Sequence, residues 1–406
     1  MSSPLVDIEK RGFRAPGTGF MVGGSLIGAF GAYLFQWYGT QRLDPVAFAP
    51  VSALWTLFFI LATILLVPVE QYVTREVARR RKSLPTDLRP AALVVGICSL
   101  VGAGFVFATV DQLFDGDYQY IAQIILLCVG YGALFVGKGV LAGSRRFASV
   151  GWVMIVETMV RLVAGVVLLG LVLNATSMGW AMVFGAFAIL AMRWWRHDTG
   201  SVSVPASPAS GFLVGYVGGS APAQILLAGA PLAVWALGSD PHLISIIFIT
   251  FTLFRAPLTL IYAMQGRLLP YLVGLAQVED FGRLAHIARK VVMVGGGLAV
   301  FGGLVGWLVG PGVVTLLYGG GYTPSILVAT MAAAGVMAAA AAQITSQVLV
   351  AEGRTKVLGL AWFGGLVAAA LVILMTSGAP DSRVAVGFVA GEFVALGLMA
   401  VLAIKR

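Results

Sequence analysis

The chain has 406 residues, 59% of them hydrophobic and only 11% charged, with a mean hydropathy of +0.95. Soluble chains average roughly 45–50% apolar and about 25% charged residues, so a water-soluble globular protein is excluded, and so is disorder, which needs low hydrophobicity and high charge. The net charge of +9 comes from Lys and Arg placed between apolar runs of spanning length, which points to a membrane surface and away from nucleic acid.

A helix crossing the hydrocarbon core needs about 20 mainly apolar residues. Twelve runs qualify. The first six are Phe20–Tyr38, Ala49–Tyr72, Ala91–Val110, Tyr120–Leu141, Val150–Leu173 and Met178–Trp195. A polar stretch with Pro and Ser, residues 197–210, reads as a cytoplasmic linker. The second six are Phe212–Leu237, Leu243–Met264, Val291–Val309, Ile326–Val350, Val357–Met375 and Val384–Ile404. None shows the period-two alternation of a barrel strand. The expected fold is an all-α polytopic membrane protein, with twelve transmembrane helices in two six-helix halves, residues 1–196 and 211–406.

Cationic residues gather on the cytoplasmic side of bacterial membrane proteins. With the N-terminus inside, 22 of the 26 Lys and Arg residues fall in inner segments; Arg42 and Arg383 fall outside, and Arg161 and Arg255 lie within spans. Asp44, Asp111, Asp115, Asp117, Asp240 and Asp381 all fall outside. The expected location is a bacterial cytoplasmic membrane, with both termini in the cytoplasm and no secretory leader. Cys98 and Cys128 lie within apolar runs and read as small packing residues. The inner loop Gln265–Lys290 carries Leu272, Leu275, Phe281, Leu284 and Ile287 at helical spacing, which predicts an amphipathic helix.

The halves look related. LFDGDY (Leu113–Tyr118) and LYGGGY (Leu317–Tyr322) precede the fourth and tenth spans, and GVLAGSRRFASVG (Gly139–Gly151) and QVLVAEGRTKVLG (Gln347–Gly359) follow them. The repeat predicts that Tyr118 matches Tyr322 and Arg146 matches Arg354. Six spans per half is an even number, so the repeat is parallel, which is a transporter arrangement.

Several segments resemble the MOP superfamily, which includes drug/sodium antiporters and lipid-linked oligosaccharide flippases, and more nearly its polysaccharide-export branch, the Wzx-like O-antigen and teichoic-acid flippases. They are PVEQYVTREVARR (Pro68–Arg80), KGVLAGSRRF (Lys138–Phe147), ETMVRLVAGVVLL (Glu157–Leu169), FRAPLTLIYAMQGRLLP (Phe254–Pro270), GPGVVTLLYGGGY (Gly310–Tyr322) and QVLVAEGR (Gln347–Arg354). The resemblance implies an alternating-access transporter that moves a polyprenyl-diphosphate-linked oligosaccharide from the inner to the outer leaflet for cell-surface polysaccharide assembly.

Ionisable residues inside spans are costly and mark function. Glu157, Arg161, Arg255 and Glu392 qualify, and the last three lie near one depth, close to the midplane. Arg161 and Arg255 are candidates to hold a pyrophosphate, because the guanidinium donates in a fixed fork and keeps its charge. Lys138 is a third candidate, extending a cationic path inward. Glu157 is four residues before Arg161, the spacing of a salt bridge on one helix face. A bare pairing of Arg255 with a carbonyl freed by Pro257 is the simpler alternative for that residue. Glu392 is a candidate coupling carboxylate, which leaves coupling to H+ or Na+ open. No cofactor or metal is expected.

The competing reading on the same fold is a cation-coupled, MATE-like small-molecule antiporter, which needs acids in the first-half cavity; the first, second and fourth spans carry only Glu70, near an inner end. A membrane-embedded glycan-processing enzyme is disfavoured, because His197, His242 and His286 lie in no cluster with acids and the outer loops are short. The chain is therefore expected not to be an enzyme. Its expected partners are the lipid-linked oligosaccharide, membrane lipids and a polysaccharide polymerase or ligase, and the chain itself is expected to be a monomer.

Overall fold

The computed structural model describes residues 17–80, 88–192 and 209–404. Residues 197–208 of the expected linker and both charged termini lie outside the described residues. Every regular element among the described residues is helical. The chain divides into two compact units, Met1–Val217 and Gly218–Arg406. The division falls inside a helix because Leu213 packs into the first unit's core with Val136, Val140 and Ile189.

The first unit contains α1 (Thr18–Thr40), α2 (Pro45–Leu61), α3 (Val67–Arg80), α4 (Arg89–Leu113), α5 (Gln119–Gly143), α6 (Phe147–Leu171) and α7 (Ala175–Phe187). A π-helical turn, Ala62–Leu66, joins α2 to α3, so the two provide one continuous crossing of 34 residues, Pro45–Ala78. Local chemistry explains where these helices start. Asp44 accepts from the amides of Val46 and Ala47 at 2.9 Å, with Pro45 in the first turn of α2. Asn174 caps α7 by accepting from the Ser177 amide. Helix α1 lies on α6 with no room between them: a Cβ on Gly24 would sit 2.6 Å from the Gly151 carbonyl oxygen.

Helix α8 (Ala209–Ala228) crosses the division, and the second unit continues with α9 (Ala230–Ala236), α10 (Pro241–Phe254), α11 (Ala256–Gln277), α12 (Phe281–Tyr318), α13 (Ile326–Ala351), α14 (Thr355–Met375) and α15 (Pro380–Ile404). Its core is built on the alanine-rich α13, whose Ala332, Val336, Ala339 and Ala342 are buried. Helices α14 and α15 touch backbone to backbone, where a Cβ on Gly365 would lie 2.6 Å from the Gly391 carbonyl oxygen.

Nine helices among the described residues are long and apolar enough to cross a membrane, which makes this a multi-pass membrane fold. The departures from twelve straight spans have physical causes. The seventh span is two helices, α8 and α9, bent by 70° at Gly229, where Pro231 follows. The eighth breaks at Arg255, two residues before Pro257. The sixth is short, because α7 passes into a 3-10 turn at Ala188. The expected amphipathic helix is absent as a separate element. Residues 265–277 prolong α11, residues 281–290 begin the 38-residue α12, and Leu272 and Leu284 are wholly buried in the unit's own core.

The two segments matched in the sequence, Gly139–Gly151 and Gln347–Gly359, fold into the same kind of turn. At the end of α5 the amides of Arg145 and Arg146 bond the carbonyls of Ala142 and Leu141; at the end of α13 those of Gly353 and Arg354 bond Val350 and Leu349. Both turns are Schellman caps with a left-handed residue, Arg145 at φ 57° and Gly353 at φ 73°. Arg146 and Arg354 then stand at the same place, the N-cap of the next helix. Tyr118 and Tyr322 do not share a setting: Tyr118 is exposed at the N-cap of α5, and Tyr322 is buried at the end of a 3-10 turn, Gly320–Tyr322.

Candidate functional site

In the first unit, α5 and α6 bring together Lys138, Glu157 and Arg161. Glu157 and Arg161 are one turn apart on α6 and form an ion pair at 3.0 Å. The Tyr131 hydroxyl, on α5, donates to Glu157 Oε1 at 2.6 Å and accepts from Arg161 Nη1 at 3.2 Å. Thr158 Oγ1 donates to Glu157 Oε2 at 3.0 Å. The guanidinium also lies over the rings of Trp55 and Phe35, 5.3 and 5.8 Å from their centroids. Both charges are buried, as a membrane interior permits only for groups with partners. The pair is confined on its far side by α7, since a Cβ on Gly185 would come within 2.8 Å of Arg161 Cβ.

Lys138 lies two turns along α5 from Tyr131. Its ammonium pairs with Glu70 Oε2 of α3 at 3.0 Å and sits 4.9 Å from the Phe135 ring centroid. A cavity of about 160 Å³ separates the two ion pairs, lined by Gly28, Tyr131, Lys138, Glu157 and Thr158 together with Leu134, Phe135 and Met154. Gly28 leaves this space open, since its missing side chain would point toward Thr158 and Met154. The cavity has room for water or a small polar group and has four side chains that could bind it.

In the second unit, Arg255 occupies the break between α10 and α11 and donates through Nη2 to the Leu227 carbonyl at the end of α8. That carbonyl lacks its helical partner because the residue four positions on is Pro231, which has no amide hydrogen. Pro257 was the expected source of a freed carbonyl; Pro231 supplies it instead. Arg255 also stacks near Phe251, 5.8 Å from the centroid. Glu392 of α15 is 1% exposed, and neither carboxylate oxygen has a hydrogen-bond partner among the described residues. Phe251 and Phe388 are in edge contact at 5.1 Å, each one turn before Arg255 and Glu392 respectively. The charge of Arg255 acts on Glu392.

Sequence reasoning did not single out Tyr131, Thr158 or the Leu227 carbonyl. Tyr131 was open to discovery as the residue seven before Lys138, on the same helical face. Nothing in the linear pattern marks the Leu227 carbonyl except the proline four residues later. Cys98 and Cys128 pack with their sulfurs 3.3 Å apart as free thiols between α4 and α5.

No family model matches the chain. Among curated proteins, the uncharacterised protein Rv3630 of Mycobacterium tuberculosis is 26% identical over 399 residues, spanning 92% of this chain and 88% of its own length. Rv1510 of the same organism is 27% identical over 403 residues, spanning 92% and 90%. Among solved structures, an inward-facing multidrug-resistance MATE transporter of the MOP superfamily superposes with a TM-score of 0.68 at 13% identity, over 94% of this chain and 93% of its own. A MOP superfamily transporter from Pyrococcus furiosus, whose binding pocket is described as having reverse polarity, gives 0.64 at 14% identity, over 95% and 94%. The chain has the all-helical fold found in these MOP and MATE transporters.

Proposed function

We propose that the chain is an alternating-access membrane transporter of the polysaccharide-export type, moving a polyprenyl-diphosphate-linked oligosaccharide from the inner to the outer leaflet of a bacterial cytoplasmic membrane. The observation that carries this reading is the charge arrangement in the first unit. Two acids of its polar interior already have a built-in cation, Glu70 with Lys138 and Glu157 with Arg161, so neither of these needs an external cation to offset it. In the second unit Arg255 stands at the break between α10 and α11, where it donates to the Leu227 carbonyl. A diphosphate suits such a group, since its oxygens accept paired hydrogen bonds from the guanidinium fork. On this reading both termini are cytoplasmic, and a polymerase or ligase receives the glycan on the outer side.

A second reading, a cation-coupled antiporter, is favoured by Glu392, a buried carboxylate without a hydrogen-bond partner among the described residues. The two readings separate in a ligand-stability measurement on the purified protein. An undecaprenyl diphosphate should raise the melting temperature more than the monophosphate does, and Arg255→Ala should remove the difference. A rise with Na+ alone, and none with either lipid, would favour the antiporter.

A further inference from the structure

The 70° bend between α8 and α9 is held by a side chain from another helix. A proline at position 231 removes the amide that would close the helix on Leu227, and the Arg255 guanidinium takes its place. A helix bent in this way depends on that substitute donor, because an unpaired carbonyl in an apolar interior costs several kcal/mol.

Glu392 is the carboxylate on which the charge of the same arginine acts. It lies one turn beyond Phe388, as Arg255 lies one turn beyond Phe251, and the two rings touch. Helices α10 and α15 begin the eighth and twelfth spans, both even-numbered, so they run in the same sense and carry the two charged groups to a common level. A buried carboxylate whose oxygens have no hydrogen bond requires an explanation.

We propose that Arg255 is a two-position latch, bonded to the Leu227 carbonyl when α8 and α9 are bent and to the Glu392 carboxylate when they straighten. Glu392 is then a positioning residue that acts through Arg255. In the bent form the guanidinium holds the kink. In the straight form Pro231 still offers Leu227 no amide, so that carbonyl must turn to the Ala230 amide in a tighter 3-10 bond, while the arginine is drawn to the carboxylate, which gains the partner it lacks. The bend of the seventh span and the placement of the arginine proposed to meet the diphosphate therefore change together. The latch rests on the transporter reading for its purpose, but not for its test.

The test is a spin-label distance measurement on the full chain in lipid, with labels at Gly218→Cys on α8 and Ala236→Cys on α9, and with Cys98 and Cys128 replaced by Ala. The labelled Cα atoms would lie about 27 Å apart along a straight helix and about 22 Å across the bend. The latch predicts a minor long-distance population in the otherwise unaltered chain and its loss in Glu392→Gln, which keeps the shape of the side chain. Pro231→Ala supplies the missing amide and should shift the distribution toward the long distance, and adding Glu392→Gln should shift it part of the way back. Glu392→Asp, which retains the carboxylate on a shorter arm, should fall between the parent and Gln. Identical distributions with Glu and Gln at position 392, both in the parent chain and in the Pro231→Ala background, would overturn the latch. Because the readout needs no substrate, it can fail while the transport reading stands.

Discussion

The hydroxyl of Tyr131 donates a 2.6 Å hydrogen bond to Glu157, so α5 is tied through one oxygen to an ion pair that lies wholly on α6. That oxygen also accepts from Arg161, which makes it the junction of the first unit's polar cluster. A charge-assisted bond of this kind is worth about 1.5–3 kcal/mol. Tyr131→Phe should lower thermal stability by an amount in that range in the parent chain. In a Glu157→Gln, Arg161→Gln background the same change should cost clearly less, because the charges that strengthen the bond are gone. Equal losses in the two backgrounds, read by thermal unfolding in detergent, would show that the hydroxyl is not coupled to the pair.

The pair itself separates structure from transport. Removing Arg161 alone strands a buried carboxylate, an effect of about 3–5 kcal/mol. Arg161→Ala should therefore be strongly destabilised, and the double Gln variant much less so. If glycan export by the double variant is full, Arg161 serves only the fold; the present reading expects export to fall in a protein that remains inserted.

The repeated turn makes a stability prediction with opposite signs in the two units. Arg145 and Gly353 hold the same left-handed position at the ends of α5 and α13, at φ 57° and 73°. A side chain there costs roughly 1 kcal/mol relative to glycine. Arg145→Gly should stabilise by about that much and Gly353→Ala should destabilise similarly, both measured as shifts in unfolding temperature.

Orientation is tested by labelling. With the buried Cys98 and Cys128 replaced, single cysteines at Asp115 and Asp240 should react with an impermeant thiol reagent applied from outside intact cells. One at Arg80 should not. Reaction at position 80 from outside would reverse the topology argued from the distribution of Lys and Arg.

The apolar runs made the architecture legible because lipid imposes one rule on every span: about 20 residues with their backbone bonded internally. Glu157 and Arg161 were readable as a pair from their four-residue spacing. Breaks were harder to place. Pro231 and Pro257 are visible in the sequence, but which of them frees the carbonyl that Arg255 binds depends on how α8 and α10 meet. The Gln265–Lys290 segment misled for a related reason: a helical stripe of Leu and Ile looks the same whether it faces a membrane surface or, as with Leu272 and Leu284, the interior of a bundle. The burial of Tyr322 against the exposure of Tyr118 shows the limit of motif matching, since one tyrosine caps a helix and the other ends a 3-10 turn although they hold the same place in the motif.

The most direct test is transbilayer movement in a defined system. Purified protein is placed in vesicles carrying a polyprenyl-diphosphate-linked oligosaccharide with a fluorescent sugar, and the accessible fraction is followed with a membrane-impermeant quencher. The account predicts protein-dependent movement that is lost with Arg255→Ala and restored only in part by Arg255→Lys, since a point charge cannot reproduce the paired bonds of the guanidinium. No movement of the lipid by correctly inserted protein, together with ion-driven efflux of a small organic cation from the same vesicles, would contradict it.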